Sequence, residues 1–424
     1  MEDDHQQSFA RRAFNSFRHE VQKILSPKLP SDDLRDVATI YRLKELDSSW
    51  TLINPGLKLW RYFAEVPYQN YDLDNLSRFR PLLLVHGYQS NHTTWNWMVD
   101  KLWADGFRII YAIEMSDYKK GFEYNVQQLI KVVDHLREIE PVFKEIDIIA
   151  HSMGGSVSKQ FIKLEGGSSK VRLFIGLGSP LTGVYRFWKI LASLDLAEQT
   201  GIDFSDTEGL LTRINEVITD EIFYTLTQVN VIGSLRRYLG TDGLFSNKPV
   251  PDMVNHRVPV SHFNLNKNED IYTLIKQLLM RKLWFYKIRL LYIQNFGMNE
   301  EIATTDQSAK TTSKFRFKFK VKGKSAENYP RNKHIEIETG QAYFPTSPLI
   351  TYVGMAPLNE KIPVEIQVSK VPGKMRIRKV LELELGQDKQ REVTYLTLTP
   401  SKEDSNGLQI QLAIYKYVPP LFNY

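Results

Sequence analysis

Residues 150–155, which read AHSMGG, place a serine where it could act as a nucleophile. An apolar run, 146–150, comes directly before the serine, and a helix-compatible segment, 155–164, follows. A sharp turn between strand and helix exposes its central side chain, and small flanking residues let neighbouring backbone approach. The next backbone N–H would lie at a helix N-terminus, where negative charge is stabilised. We therefore predict that Ser152 is a nucleophile and that the Met153 N–H binds an oxyanion.

A second backbone donor is expected in the loop after the apolar run 81–86 (PLLLVH). Gly87 follows this run, and its lack of a side chain would let the loop approach a reacting carbonyl group. We predict that the Tyr88 N–H is the second oxyanion donor, because a nucleophile on such a turn takes its other donor from a loop of this kind. His86 and Gly87 are candidate substrate contacts.

A histidine and a carboxylate must complete this chemistry. A serine hydroxyl is a weak nucleophile at pH 7, so a histidine must take its proton and a carboxylate must orient the histidine. Asp242 lies in the turn sequence GTDGL after the apolar run 229–234, and His262 lies in VSHFN before a predicted helix. The chain order Ser, Asp, His suits a nucleophile on a strand-to-helix turn. The competing residues are two carboxylates and one base: Asp220, Asp252 and His256.

Between about 33 and 280, short β-branched runs alternate with stretches of helical period. Continuous apolar strands separated by helices predict a parallel sheet that is covered on both faces. Two weaker runs, 39–46 and 60–66, are predicted to add an antiparallel edge. The main runs are 81–86, 108–115, 146–151, 172–179 and 229–234.

After about 283 the pattern changes to a period of two residues, which predicts an all-β sandwich. Residues 284–293 are predicted as its first strand, with a continuation of the preceding helix as the alternative. In 314–322, Phe and Val alternate with Lys and Arg. This basic strand could face anionic lipid headgroups, or it could be a solvated face paired with the acidic strand of Glu336 and Glu338.

Together these motifs resemble the α/β-hydrolase superfamily, and within it the bacterial triacylglycerol lipases and similar serine esterases. Ala150 stands where the turn motif usually has its first glycine, as in the small Bacillus-type lipases. Leu181 replaces the histidine that follows a similar Gly-Ser-Pro turn in many lipases. The matching segments are VHG at 85–87, AHSMGG at 150–155, GSP at 178–180, TDG at 241–243 and VSH at 260–262.

The resemblance implies a serine carboxylester hydrolase that cleaves acyl esters, lipid esters among them, through a Ser-Asp-His triad and an acyl-enzyme. A phospholipase or an acyltransferase with the same triad is one alternative. A non-catalytic module that binds lipid or protein on a hydrolase scaffold is another. None of these chemistries requires a metal or a cofactor.

We predict three segments: an N-terminal amphipathic helix with a linker at 1–30, an α/β-hydrolase domain at 31–283 and a β-sandwich at 284–424. Within the second segment, residues 184–228 interrupt the strand pattern with two apolar helical faces. An insertion of this kind predicts a helical cap or lid over the site. Further candidate substrate contacts lie beside or within it: Leu181, Phe187 and Trp188.

Composition excludes several classes of protein. The 424 residues include no cysteine, which excludes disulfides, cysteine nucleophiles and Cys-ligated metal sites. A net charge of +6 is a mild excess for this length and does not indicate a nucleic-acid-binding surface. We see no signal peptide and no transmembrane segment. The simplest expectation is a cytoplasmic protein, with peripheral membrane contact or export without a cleaved signal as alternatives.

Overall fold

The computed structural model divides the chain into two compact units, residues 1–281 with 419–424 and residues 282–418. No helix among the residues that the structure describes is long and apolar enough to cross a membrane. The described residues are 42–45, 57–63, 80–88, 90–115, 122–141, 143–181, 227–233, 242, 250, 253–296, 312–321, 327–329, 334–344, 351–371, 376–384, 391–398 and 407–417.

The first unit is built on an eight-stranded sheet with the order β1-β2-β4-β3-β5-β6-β7-β8. β2 pairs antiparallel with β1 and β4, and all other neighbours pair in parallel, so the predicted antiparallel edge is confirmed. The strands are β1 (Arg42–Glu45), β2 (Leu57–Phe63), β3 (Leu82–Val85), β4 (Ile110–Met115), β5 (Ile146–His151), β6 (Val171–Leu177), β7 (Thr227–Gly233) and β8 (Val254–Val258).

Every residue of β3, β5 and β6 is buried, as expected for central parallel strands that are covered on both faces. The described helices of this unit are α1 (Asn96–Ala104), α2 (Phe122–Ile139), α3 (Met153–Leu164) and α4 (Glu269–Leu279).

The start of α4 shows how the sequence sets a helix boundary. The Asn268 side chain accepts hydrogen bonds from the Asp270 and Ile271 N–H groups, both at 3.1 Å.

Two predicted helical regions lie outside the described residues. These are the N-terminal helix at 1–30 and the lid at 184–228, apart from the last two residues of the lid. Thr227 and Gln228, at the end of the segment of about 184–228 predicted as a lid, begin β7.

The second unit contains two five-stranded antiparallel sheets. The β9 sheet has the order β13-β9-β18-β17, with β14 also on β9; the β10 sheet has the order β11-β10-β15-β16, with β12 also on β10. The strands are β9 (Leu283–Asn295), β10 (Thr312–Val321), β11 (Glu327–Tyr329), β12 (Ile335–Glu338), β13 (Ala342–Tyr343), β14 (Thr351–Pro357), β15 (Ile362–Val371), β16 (Arg376–Leu383), β17 (Arg391–Leu398) and β18 (Leu408–Tyr417).

Apolar residues of both sheets form one core, which is the sandwich that the two-residue period predicted. Phe315 and Phe317 of β10 are fully buried in it, as is Trp284 of β9. The first-strand prediction for 284–293 is confirmed by β9, and the helical alternative is wrong because α4 ends at Leu279.

The charged face of β10 pairs with an acidic strand. Lys314 lies opposite Glu336 of β12, and their side chains form an ion pair of 3.1 Å. Arg316, Lys318 and Lys320 are exposed on the same face. The predicted pairing is therefore confirmed, and contact of this face with a lipid surface stays a prediction.

Candidate active site

Ser152 lies in the turn between β5 and α3, with φ 54° and ψ −127°. A strained backbone of this kind costs about 1–3 kcal/mol and persists only where surrounding contacts hold it. The Ser152 N–H donates to the Leu177 carbonyl, and the Gly155 N–H donates to the Ser152 carbonyl, both at 3.0 Å. The predicted strand, sharp turn and helix are thus confirmed at this point of the chain. Such a turn is typical of an exposed serine nucleophile.

Gly87 lies against the nucleophile turn. A Cβ atom added at Gly87 would come within 2.9 Å of the Ser152 Cβ and 3.3 Å of the His151 carbonyl oxygen. Only glycine lets the loop after β3 approach this closely. The loop that carries Tyr88 is therefore adjacent to the turn that carries Ser152 and Met153.

The structure brings Asp242 and His262 together as a buried pair. The His262 Nδ1 lies 2.8 Å from the Asp242 Oδ2, with the two side chains 3% and 0% exposed. The His262 backbone N–H also donates to the Asp242 carbonyl at 2.9 Å. Because the carboxylate accepts, Nδ1 carries a proton and Nε2 is the basic nitrogen. This is the tautomer that a general base of this type requires.

The loops after parallel strands meet at one edge of the sheet, which is where α/β folds place their sites. Gly178, in the turn after β6, has a φ of 59° that favours glycine. A Cβ atom there would lie 3.0 Å from the His262 Nδ1 and 3.1 Å from the Asp242 Oδ2. The turn after β6 thus packs directly on the acid–base pair.

Of the three competing residues, the structure describes His256. His256 lies within β8, opposite Val231 of β7, and is partly exposed. Asp220 and Asp252 lie outside the described residues.

Both ring nitrogens of His86 are hydrogen-bonded to backbone groups. The Met115 N–H donates to the His86 Nε2 at 2.9 Å, so Nδ1 carries the proton and donates to the Gly87 carbonyl at 2.7 Å. The ring is fully buried, and this burial lowers the pKa of His86. With both nitrogens engaged, the ring holds the start of the loop that carries Tyr88. The substrate contact predicted for His86 stays a prediction.

The other predicted site residues lie in different parts of the first unit or outside the described residues. Leu181 is 1% exposed and belongs to the main core of the first unit. Tyr88 is partly exposed in the turn after β3, and Met153 is the first residue of α3. Phe187 and Trp188 lie outside the described residues.

His151 is the residue whose role the sequence did not indicate. Its Nε2 lies 2.9 Å from the His262 carbonyl oxygen, and the two imidazole centroids are 4.8 Å apart. It also precedes Ser152 directly, so it links the base to the nucleophile turn. The motif AHSMGG contains this histidine, but its partner is 111 residues away.

Among the described residues, no group of three or more His, Asp and Glu side chains is arranged to hold a metal ion.

Comparison with known proteins gives one family match. Residues 79–193, which span β3 to β6 and Ser152, match the family model of lipase (class 2). A search of curated proteins finds no match.

The solved structures to which this chain is similar include those of a lipase and an esterase. The mature lipase BlEst2 of Bacillus licheniformis is 18% identical, with 53% of this chain and 99% of that chain covered and a TM-score of 0.42. Its propeptide form is 16% identical, with 87% and 79% covered and a TM-score of 0.42. The esterase Pf2001 of Pyrococcus furiosus is 15% identical, with 57% and 92% covered and a TM-score of 0.37.

Proposed function

We propose that this chain, an α/β-hydrolase that resembles the lipases and esterases of that fold, is a serine carboxylester hydrolase acting on acyl esters. The family match supports ester hydrolysis in general. The observation that carries the specific proposal is the buried hydrogen bond of 2.8 Å between Asp242 and His262, next to the strained turn of Ser152.

In the proposed reaction, the Ser152 Oγ attacks the ester carbonyl carbon while the His262 Nε2 takes the hydroxyl proton. The N–H groups of Tyr88 and Met153 stabilise the resulting oxyanion. When the tetrahedral intermediate collapses, His262 gives the proton to the leaving alcohol and an acyl-enzyme remains. Water, deprotonated by His262, then releases the acid and restores the Ser152 hydroxyl.

Asp242 supports both steps without becoming protonated. Its carboxylate holds the proton on the His262 Nδ1 and stabilises the imidazolium that forms when Nε2 is protonated. Because the pair is buried, this interaction is weakly screened by solvent. Asp242 is therefore assigned as the orienting carboxylate.

We further propose lipid esters as the substrate class and the segment 184–228 as a lid. The class 2 lipase match supports lipid esters, and the two apolar helical faces that the sequence predicts in 184–228 support a lid. An apolar lid would exclude water while the oxyanion forms. Preference for long over short acyl chains in the assay below would support lipid esters, and the opposite preference would contradict them.

The central test is hydrolysis of short-chain and long-chain p-nitrophenyl esters by the full chain and by Ser152→Ala. We expect kcat to fall by at least about 10³-fold in the variant, because the nucleophile is lost. Ser156→Ala is the matched control: Ser156 is buried one turn further along α3 and should leave kcat unchanged. Undiminished turnover by Ser152→Ala contradicts the proposal.

A second test identifies the carboxylate. Asp242→Asn should lower kcat by about 10⁴-fold with little change in KM, because the amide favours the wrong tautomer of His262. Asp220→Asn and Asp252→Asn serve as controls and should keep wild-type kcat. A large loss in either control, with Asp242→Asn active, assigns the role to another carboxylate.

A fluorophosphonate probe separates the enzyme from a non-catalytic binding module. We expect covalent labelling of the wild type and none of Ser152→Ala, since the probe requires an activated serine. Absence of labelling in a folded wild-type protein supports the binding module instead.

A further inference from the structure

His151 is a buried histidine that the proposed reaction does not use. It is the last residue of β5 and is 8% exposed. A buried imidazole is costly unless its polar atoms are hydrogen-bonded, so its partners indicate why it is there.

The contact with His262 assigns the His151 tautomer. A carbonyl oxygen can only accept, so the His151 Nε2, 2.9 Å from the His262 carbonyl oxygen, must carry the proton. Burial, and next the neighbouring His262, lower the pKa of His151 to about 3. The ring is therefore neutral at ordinary working pH, and this donor is retained.

His262 is held at both ends of its backbone. Its N–H donates to the Asp242 carbonyl at 2.9 Å, and its carbonyl accepts from His151 at 2.9 Å. These two bonds fix the peptide groups on either side of the His262 Cα atom. The direction of the imidazole relative to Ser152 depends on both.

His151 also contacts the loop after β3. A Cβ atom at Gly87 would lie 3.3 Å from the His151 carbonyl oxygen and 3.4 Å from its Nδ1. One residue thus adjoins the nucleophile through the chain, the base through a hydrogen bond and the Tyr88 loop through packing.

We propose that His151 is a positioning residue, which holds the carbonyl group of His262 so that its imidazole stays aligned with Ser152. This inference rests on the proposed function. The uncharged donor suits the position, because a cation there would oppose the imidazolium that forms on His262 during the reaction.

The test compares three variants of His151 in which a side-chain N–H donor is kept in place, moved or removed. In His151→Gln the side-chain N–H occupies the place of the imidazole Nε2. In His151→Asn the amide reaches only as far as Nδ1, and in His151→Ala there is no donor. Asn is therefore the matched control for Gln.

We expect kcat to fall about 10- to 100-fold in His151→Ala and His151→Asn, with KM within twofold of wild type, because small misplacements of a reacting group have effects of this size. His151→Gln should stay within about threefold of wild-type kcat. The rate of fluorophosphonate labelling should follow kcat across the series, and Tm should confirm that each variant is folded.

Three outcomes overturn the inference: His151→Asn as active as wild type, His151→Gln as impaired in activity or folding as His151→Ala, or a loss confined to KM. Ser152→Ala in the same assay keeps the two proposals distinct. If Ser152→Ala is inactive while His151→Ala is fully active, only the positioning role fails. If Ser152→Ala is active, the proposed function fails.

Discussion

In the first unit the ion pair of Arg172 and Asp147 is 1% and 2% exposed, whereas in the second unit the pair of Lys361 and Glu384 is 61% and 62% exposed. Net charge differs as well. Residues 282–418 contain 22 Lys and Arg against 14 Asp and Glu, a net +8, while the rest of the chain contains 33 against 35, a net −2. The basic excess of the protein therefore lies entirely in the second unit.

The two kinds of sheet explain why charged side chains are buried on β5 and β6 of the first unit and exposed on β10 of the second. A parallel sheet is covered on both faces, so polar side chains on its strands are buried and must be paired. Asp147 of β5 and Arg172 of β6 form such a pair. An antiparallel sheet leaves one face to solvent, so β10 places its Lys and Arg outside while Phe315 and Phe317 fill the core.

Among the residues that the structure describes, the second unit also contains two buried lysines, both in the β9 sheet. The Lys287 Nζ lies 5.8 Å from the centre of the Tyr415 ring, which is within the range of a cation–π contact. Lys416 lies opposite Tyr286 of β9. The contrast therefore concerns the Asp147–Arg172 pair and the Lys361–Glu384 pair, and it does not extend to every charged side chain.

The largest expected effect comes from breaking the buried pair. Asp147→Asn should lower the free energy of unfolding of the first unit by about 3–5 kcal/mol, because Arg172 then keeps a buried charge without its carboxylate. Urea denaturation combined with hydrogen exchange in β5 and β6 measures this in the first unit alone. The double variant Asp147→Leu/Arg172→Leu should recover most of the loss. A change below about 1 kcal/mol in the single variant contradicts the comparison.

An intermediate effect is expected from acid. Burial lowers the folded-state pKa of His86 and His151 below 6.5, so the unfolded chain binds more protons below that pH. The free energy of unfolding of the first unit should therefore fall as pH falls from about 6.5. His151 alone should account for a loss of about 2 kcal/mol by pH 5. Hydrogen exchange in both units at pH 7, 6 and 5 measures the loss.

The second unit should respond to acid later. Side-chain hydrogen bonds, and next charged partners, lower the pKa of Glu336, Glu365 and Glu384, so the stability that these groups contribute is present above pH 4.5 and is lost as pH falls further. His151→Gln should reduce the acid sensitivity of the first unit only. An equal loss of stability in both units between pH 7 and pH 5 would contradict this prediction.

The smallest effect is expected at the exposed pair. Lys361→Gln should leave the Tm of the second unit unchanged within error at 150 mM NaCl, because solvent and salt screen the pair with Glu384. Phe317→Ala is the sensitivity control and should cost about 3–5 kcal/mol, since the ring is fully buried. A clear drop in Tm for Lys361→Gln would assign structural importance to surface charge in this unit.

Local patterns predicted much of the fold. The apolar run before AHSMGG became β5, the small residues after Ser152 opened α3, and the alternation in 314–322 became β10. Each of these depends on residues that are near one another in the chain. Hydrophobic period and turn chemistry act over the same short range.

Elements with weak local patterns were missed. β8 reads VNHRV, and its three central residues are polar and at least partly exposed, so it shows no strand period. Its strand state comes from pairing with β7. β14 was likewise not predicted; it pairs with β9 along seven residues.

By itself, the sequence determined which residues could do the chemistry, because a serine between a strand and a helix, a histidine and a carboxylate have their reactivity wherever they stand. It also determined the change from helical to two-residue period near 283. The tertiary structure alone decided that Asp242 is hydrogen-bonded to His262, and that His151 donates to a carbonyl 111 residues away. Such contacts depend on how distant loops meet at one edge of a sheet, and no local pattern encodes that meeting.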